Sequence, residues 1–143
     1  MPTIQNIEEI KAWQLARNFA QEIFHVYNKE PFARDFGLKD QLNRSSGSIM
    51  DNIAEGYGRL GNREFINFLT YAKGSCLEAK SQLMRAFDRT YITNEQLEYF
   101  DKQLITIDNH IGGFIAYLKK TDYKGQKFKE PQEQYNINPS NPD

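Results

Sequence analysis

The chain is poor in the residues that usually hold metals or disulfides, and it has no long hydrophobic run. One cysteine among 143 residues excludes an internal disulfide, and only two histidines are present. No apolar run approaches the roughly 18 residues of a membrane span, and the N-terminus lacks the basic and apolar segments of a secretory signal. We therefore expect a cytoplasmic protein that does not associate with membranes.

The net charge is also small. Eighteen basic and 19 acidic residues leave a formal charge of −1, so the chain as a whole has no electrostatic attraction to nucleic acid. Any such affinity must come from a local patch, and one candidate cluster consists of Lys119, Lys120, Lys124, Lys127 and Lys129. Two interpretations of this cluster are open: a solvated helix end with a polar tail, or a set of contacts to RNA or DNA phosphates.

Prolines are absent from most of the interior, because the five stand at positions 2, 31, 131, 139 and 142. The stretches between them carry apolar residues at alternating spacings of three and four, the pattern of helices that pack in bundles. This spacing predicts four helices, over about 7–28, 38–58, 62–89 and 93–118. We expect an all-α, up-down-up-down antiparallel four-helix bundle over residues 1–121, followed by a short disordered tail, polar and lysine-containing, over 122–143.

Capping residues mark two of the predicted helix starts. Asn6 with Glu9, and Thr93 with Gln96, have the spacing of a capping box, in which each side chain accepts a hydrogen bond from the other residue's backbone. The second helix is expected to end at a group of three glycines, Gly56, Gly58 and Gly61.

The first helix carries a wider apolar face than one contact needs. The residues predicted to pack in the bundle are Trp13, Ala16, Ala20, Ile23 and Tyr27. Three further apolar residues lie beside them: Leu15, Phe19 and Val26. Surplus apolar surface is typical of a protomer that packs on copies of itself. We therefore expect a homo-oligomer.

The second helix combines an apolar stripe with an adjacent polar stripe. The apolar stripe is interrupted by small residues and comprises Leu38, Leu42, Ser45, Ile49, Ile53 and Gly56. Small residues let a neighbouring backbone approach closely, and charges beside such a contact need partners. We predict a polar network that is at least half buried, within the bundle or between subunits, formed by Arg44, Asn52, Glu55, Arg59, Glu64 and Glu78. The expected ion pairs join either arginine to one of the glutamates. The alternative is an exposed lattice of weak surface ion pairs.

No group of residues has the spacing of a catalytic or metal site. Glu22 and His25 form a single E-x-x-H on the first helix, whereas a di-metal bundle site needs two such motifs and further glutamates. Their helical phase also turns them away from the predicted bundle axis. Cys76 falls on a core stripe and is expected to be buried and inert. We therefore predict no enzyme activity, no cofactor, no metal and no small-molecule substrate.

Several short motifs follow one another along the chain. The first are Trp13, Gln14 and Ala16, followed by Gln41, Leu42 and Arg44. The second helix then supplies Ser48, Ile49, Asn52, Ile53, Ala54, Glu55, Gly56, Gly58 and Arg59. The third supplies Glu64, Phe65, Phe68, Leu69, Ala72, Gly74, Ser75, Glu78, Gln82 and Leu83. Over about residues 7–118 this pattern resembles the bacterial four-helix-bundle family of proteins encoded in intervening sequences of 23S ribosomal RNA genes.

The resemblance implies a non-catalytic bundle that assembles into rings, typically homopentamers. A relative that is similar in fold, the accessory protein of diversity-generating retroelements, binds nucleic acid through a basic surface. This chain departs from the family pattern at Asn43, where a second arginine is common, and the loss of that charge weakens a nucleic-acid role carried over from relatives. It also has Met50-Asp51 for a frequent Pro-Ser, and Lys80 for a usual glutamate.

Two functions remain open from the sequence. The first is a non-enzymatic oligomer that binds RNA or another nucleic acid, as a ribosomal-RNA-associated protein or adaptor. The second is a protein–protein scaffold that binds no nucleic acid. A metal-dependent bundle enzyme has the least support, because the second E-x-x-H motif is missing.

Overall fold

The computed structural model describes residues 4–121, which form four α-helices and two short 3₁₀ turns. The α-helices are α1 (Lys11–Tyr27), α2 (Phe36–Gly58), α3 (Asn62–Asp88) and α4 (Asn94–Lys120), and the 3₁₀ turns are Ile7–Glu9 and Phe32–Arg34. Consecutive helices pack against each other, and α1 also packs against α4. Short connections make consecutive helices antiparallel. The predicted all-α bundle is confirmed, whereas the tail predicted over 122–143 lies outside the described residues.

The apolar stripes of α3 and α4 form the centre of the core, as the sequence predicts. On α3 the buried apolar residues are Phe65, Leu69, Ala72, Cys76, Ala79, Leu83 and Ala86. On α4 they are Phe100, Leu104, Ile107, Ile111, Phe114 and Leu118. Burying one large apolar side chain contributes about 1.5–3 kcal/mol relative to leaving it exposed. These two stripes therefore supply much of the driving force for folding.

The core face of α1 differs from the predicted one. Its buried residues are Ala12, Ala16, Phe19, Ile23 and Tyr27. The prediction was wrong for Trp13 and Ala20, which are partly exposed, and for Phe19, which is fully buried. The ring of Phe19 meets that of Phe100 edge-on, with 5.9 Å between centroids. Because α1 packs against both α2 and α4, its core face is centred between two neighbours, and Phe19 is not surplus surface.

The predicted capping box is correct at one helix start and wrong at the other. In α4, Gln96 N donates to Thr93 Oγ1 at 3.1 Å and Thr93 N donates to Gln96 Oε1 at 2.9 Å. The Asn6 side chain makes no capping hydrogen bond, because a 3₁₀ turn follows it and α1 begins only after that turn. α2 ends at Gly58, but the left-handed residue in the connection is Leu60 (φ 61°) rather than a glycine.

Asp35 ties the start of α2 to the connection between α3 and α4. Its carboxylate accepts hydrogen bonds from Leu38 N at 3.2 Å, Arg89 Nη1 at 2.8 Å and Tyr91 Oη at 2.9 Å. The first of these caps the N-terminus of α2, where a negative charge is also favourable. The hydrogen bonds from Tyr91 and Leu38 lower the pKa of Asp35 below its usual value of 3.8.

Replacing Asp35 with Asn should destabilise the bundle at neutral pH, because the amide can still cap α2 but cannot pair with the Arg89 guanidinium. A carboxylate whose pKa is lowered on folding stabilises the fold above its unfolded pKa, and this stabilisation disappears as the pH falls through the folded pKa. Thermal unfolding should show a lower melting temperature for the variant at neutral pH, and the two proteins should converge once the pH is well below 3.8. A gap that stays constant into acid would contradict this role of the charge.

Candidate interaction face on α2 and α3

Gly56 lets α2 and α3 pack closely. A β-carbon added there would lie 2.8 Å from Phe68 Cβ and 2.9 Å from a ring carbon of Phe65, well inside the roughly 3.5–4.0 Å at which carbon atoms attract each other. The close approach expected from the small residues of α2 is therefore found at this position. In contrast, an added β-carbon at Gly47 or Gly74 meets nothing within 4 Å in the part of the chain that the structure describes.

Three side-chain hydrogen bonds cross from α2 to α3, and we call them the polar seam. The seam consists of the pairs Gln41–Arg85, Ser45–Gln82 and Ser48–Ser75. In the middle pair, Ser45 Oγ donates to Gln82 Oε1 at 2.6 Å, and both residues are buried. A buried polar atom without a partner costs about 1–3 kcal/mol, so the Ser45–Gln82 pairing lets two polar side chains lie within a packed interface. The Gln41–Arg85 pair lies at the exposed edge of that interface. The seam fixes how α2 and α3 align.

A groove of about 570 Å³ runs beside the polar seam. Its lining includes Gln41, Arg44, Ser48, Glu78, Ser81 and Arg85. The α2 rim carries an ion pair within the helix, in which Arg44 lies 2.9 Å from Asp40 and the two side chains are 78% and 57% exposed. On the α3 rim, Glu78 is exposed and makes no ion pair with the described residues. The groove is therefore open to solvent and bordered by charges of both signs.

The predicted ion pairs of this face form only in part. Arg59 Nη2 lies 2.8 Å from Glu55 Oε2, and the guanidinium lies 5.0 Å from the centre of the Phe68 ring. This pair is one of those expected from the sequence. Arg44 does not reach a glutamate and pairs with Asp40 instead, because side chains four residues apart on a helix meet without crossing to another helix.

Burial of the predicted network does not occur within a single chain. Glu64 and Glu78 are exposed, while Asn52 is partly buried and its Nδ2 donates to Ser48 O at 2.8 Å. Exposed ion pairs such as those found here contribute about 0–1 kcal/mol each, so they add little to the stability of one chain. Burial of these residues between copies of the chain stays a prediction.

The lysine cluster begins at the C-terminal end of α4. Lys119 and Lys120 are exposed in its last turn. Asn62, at the start of α3, holds this end in place, because its Nδ2 donates to Leu118 O and to Thr121 O, each at 2.7 Å. The other predicted nucleic-acid contacts lie outside the described residues: Lys124, Lys127 and Lys129.

The residues considered for catalysis or metal binding do not come together. His25 is exposed, and Glu22 accepts a hydrogen bond from Tyr99 Oη at 2.6 Å. Cys76 is buried, and burial raises the pKa of its thiol to about 12. Over residues 4–121, no three His, Cys, Asp or Glu side chains are grouped so that they could hold a metal ion. Within the same range, every helix is too short or too polar to cross a membrane.

Replacing Gly56 with Ala should destabilise the bundle, although alanine favours helix. Forcing extra atoms into a packed contact costs about 1–3 kcal/mol, which exceeds the roughly 1 kcal/mol of helix propensity that the change gains. The matched control is Gly47→Ala on the same helix, where the methyl group meets open space and should stabilise by about 0.5–1 kcal/mol. Chemical denaturation at one protein concentration measures both. Stabilisation by the two changes alike would mean that the backbones are not in close contact at residue 56.

Comparison with known proteins agrees with this architecture. Residues 8–113 match the family described as "23S rRNA-intervening sequence protein". The chain is similar to the crystal structure of a protein with unknown function from the S23 ribosomal protein family of Bacteroides thetaiotaomicron VPI-5482, with 25% sequence identity and a TM-score of 0.66. That alignment covers 73% of this chain and 97% of the other. No curated protein matches the chain. Since the matched segment includes α1, α2, α3 and most of α4, this protein belongs to the 23S rRNA-intervening sequence protein family.

Proposed function

We propose that this protein is a non-enzymatic helical bundle that assembles with copies of itself and binds RNA. The outer face of α2 and α3 contacts a neighbouring copy, and the lysines at and after the end of α4 contact RNA phosphates. The observation that supports the proposal most is the open groove beside the polar seam, which two packed helices border with charges of both signs.

Such a groove suits a protein surface better than a small substrate. Its polar floor already pairs Ser45 with Gln82, so a small ligand would gain little by hydrogen bonding there. Charges of both signs on the rim can be matched by a neighbouring copy, and Gly74 on α3 leaves room for its backbone. A closed ring requires that this face meet a different surface of the next copy. The resemblance to ring-forming relatives favours a homopentamer.

The exposed lysines make RNA the favoured partner. Lys119 and Lys120 are the last residues of α4, and this end of the helix lies beside Asn62. Arg63, which follows Asn62 in the chain, is also exposed. Assembly in a ring would bring the copies of this basic end to one rim, where many weak phosphate contacts combine into tight binding. The family takes its description from intervening sequences of 23S rRNA, which makes RNA the first nucleic acid to test. A scaffold that binds no nucleic acid is the second candidate, and the net charge of −1 favours it.

Light scattering should give the native protein a mass several times its chain mass of 16.7 kDa, and five times for the proposed ring. Replacing Ser81 with Arg adds a bulky charge to the groove, next to Arg44 and Arg85, and should shift the population toward monomer. The matched control is Thr106→Arg on the exposed side of α4, which should leave the mass unchanged. A monomeric native protein, or an equal effect of both variants, would contradict the proposed contact.

Replacing Lys119 and Lys120 together with Gln should weaken the binding of single-stranded RNA and reduce its dependence on salt. Each phosphate contact contributes about 0.7 to the slope of log K against log salt for single strands, so the slope should decrease by about 1.4. Fluorescence anisotropy titrations between about 50 and 200 mM salt measure this slope.

The control variant for that titration is Lys102→Gln, which removes one exposed charge in the middle of α4 and should change the slope little. If the native protein binds no RNA, or binds it with no dependence on salt, the scaffold is the better description.

A further inference from the structure

A second cavity lies between the end of α1 and the start of α2, and its lining includes Asp40, the partner of Arg44 on the rim of the groove. Its volume is about 250 Å³, somewhat below the roughly 300–1,000 Å³ of sites for drug-sized ligands, so it suits a single ring system. Two phenylalanines border it, Phe24 with 51% and Phe36 with 75% of its surface exposed. Exposed apolar side chains that adjoin one another, unlike ones scattered singly, mark contact surfaces.

The two rings are held differently. The ring of Phe24 stands edge-on to that of the buried Tyr27, with 5.7 Å between centroids and 73° between planes. Phe36 is the first residue of α2 and follows Asp35, whose carboxylate caps the helix by accepting a hydrogen bond from Leu38 N. Its ring has no aromatic partner among residues 4–121. Phe36 therefore offers a flat π-face to a ligand at the mouth of the cavity.

Polar groups of the cavity wall complete the site. Tyr27 Oη donates to Asn43 Oδ1 at 2.9 Å, so the amide of Asn43 is oriented and keeps both of its N–H donors for a ligand. Asn28 Nδ2 donates to Phe24 O at 2.9 Å, which leaves Asn28 Oδ1 as an acceptor. Lys39 also lines the cavity and makes no ion pair with the described part of the chain.

We propose that this cavity binds an unpaired nucleobase of single-stranded RNA. The base stacks on Phe36, its edge forms hydrogen bonds with the Asn43 and Asn28 amides, and the adjoining phosphate lies near Lys39. Bases of single strands are commonly bound by aromatic stacking together with edge hydrogen bonds and a cation for the backbone. An apolar peptide side chain would cover the rings but leave both amides without partners, which is costly in a closed contact.

This inference rests on the proposed RNA binding but concerns a different site. Lys119 and Lys120 lie at the end of α4 that is farther from the cavity. The 27 residues of this helix span about 40 Å. The lysines contact phosphates and read no base, whereas the Phe36 cavity requires the base itself. Loss of one set of contacts should therefore leave the other intact.

The test compares a labelled single-stranded oligoribonucleotide with an abasic oligomer of the same length, by fluorescence anisotropy. Phe36→Ala should weaken binding of the base-bearing strand by about tenfold and leave binding of the abasic strand unchanged. Because Phe36 is mostly exposed, this change should not unfold the protein. The matched control is Ile105→Ala, which removes an apolar side chain that is 49% exposed on α4 and should affect neither strand.

Two further substitutions separate stacking from general apolar contact. Phe36→Trp keeps a π-face and should retain binding, whereas Phe36→Leu keeps apolar surface alone and should lose it as Phe36→Ala does. Full binding by Phe36→Leu, an equal loss for both strands, or a change of oligomer mass in Phe36→Ala would each overturn the proposal. Competition by free AMP or UMP at the affinity of the oligomer would assign the cavity to a free nucleotide and overturn the RNA assignment.

The outcomes also separate this proposal from the proposed function. If native protein binds RNA through Lys119 and Lys120 with the expected salt dependence, and Phe36→Ala binds as well as native, only the base site is wrong. If native protein binds neither oligomer, both are wrong.

Discussion

The close contact of α2 with α3 at Gly56 is the constraint on which the rest of the structure depends. With no side chain at this position, α2 rests directly on Phe65 and Phe68. This contact, together with the polar seam, sets the register of the two helices, so that Ser45 faces Gln82 in the buried interface. The next helix start follows at once, and Asn62 there binds the end of α4. The Gly56 contact thus positions α2 against α3, and Asn62 attaches the end of α4 beside it.

Ser45 and Gln82 satisfy each other inside the bundle, so the polar groups that are available for other molecules lie on the surface. The groove beside the seam and the cavity at Phe36 are neighbours near the start of α2, whereas the exposed lysines lie at the end of α4. Charges of both signs, exposed lysines and an exposed aromatic ring suit three kinds of non-covalent contact. The one thiol in the described residues is buried with a raised pKa. The proposal of a protein that works by binding rests on this distribution.

The sequence predicted the helices of α3 and α4 well, because each carries one unbroken apolar stripe and only one face can turn inward. It failed for Phe19, since the core face of α1 depends on two neighbours whose positions no local pattern contains. The partner of Ser45 was also unpredictable, because it depends on the register of α2 against α3. Phe36 was missed because the predicted helix began at Leu38, and the capping spacing of Asp35 ahead of it was the signal that could have corrected this start.

The central claim is that the outer face of α2 and α3 is covered in the native assembly. Thiol labelling of Ser81→Cys tests it directly, because residue 81 lines the groove and is exposed in a single chain, and the buried Cys76 should give little background. Thr106→Cys on α4 provides an exposed reference. We predict that the thiol at 81 reacts much more slowly than the thiol at 106 in the native particle, and equally fast once the particle is dissociated. Equal rates in the native particle would contradict the account.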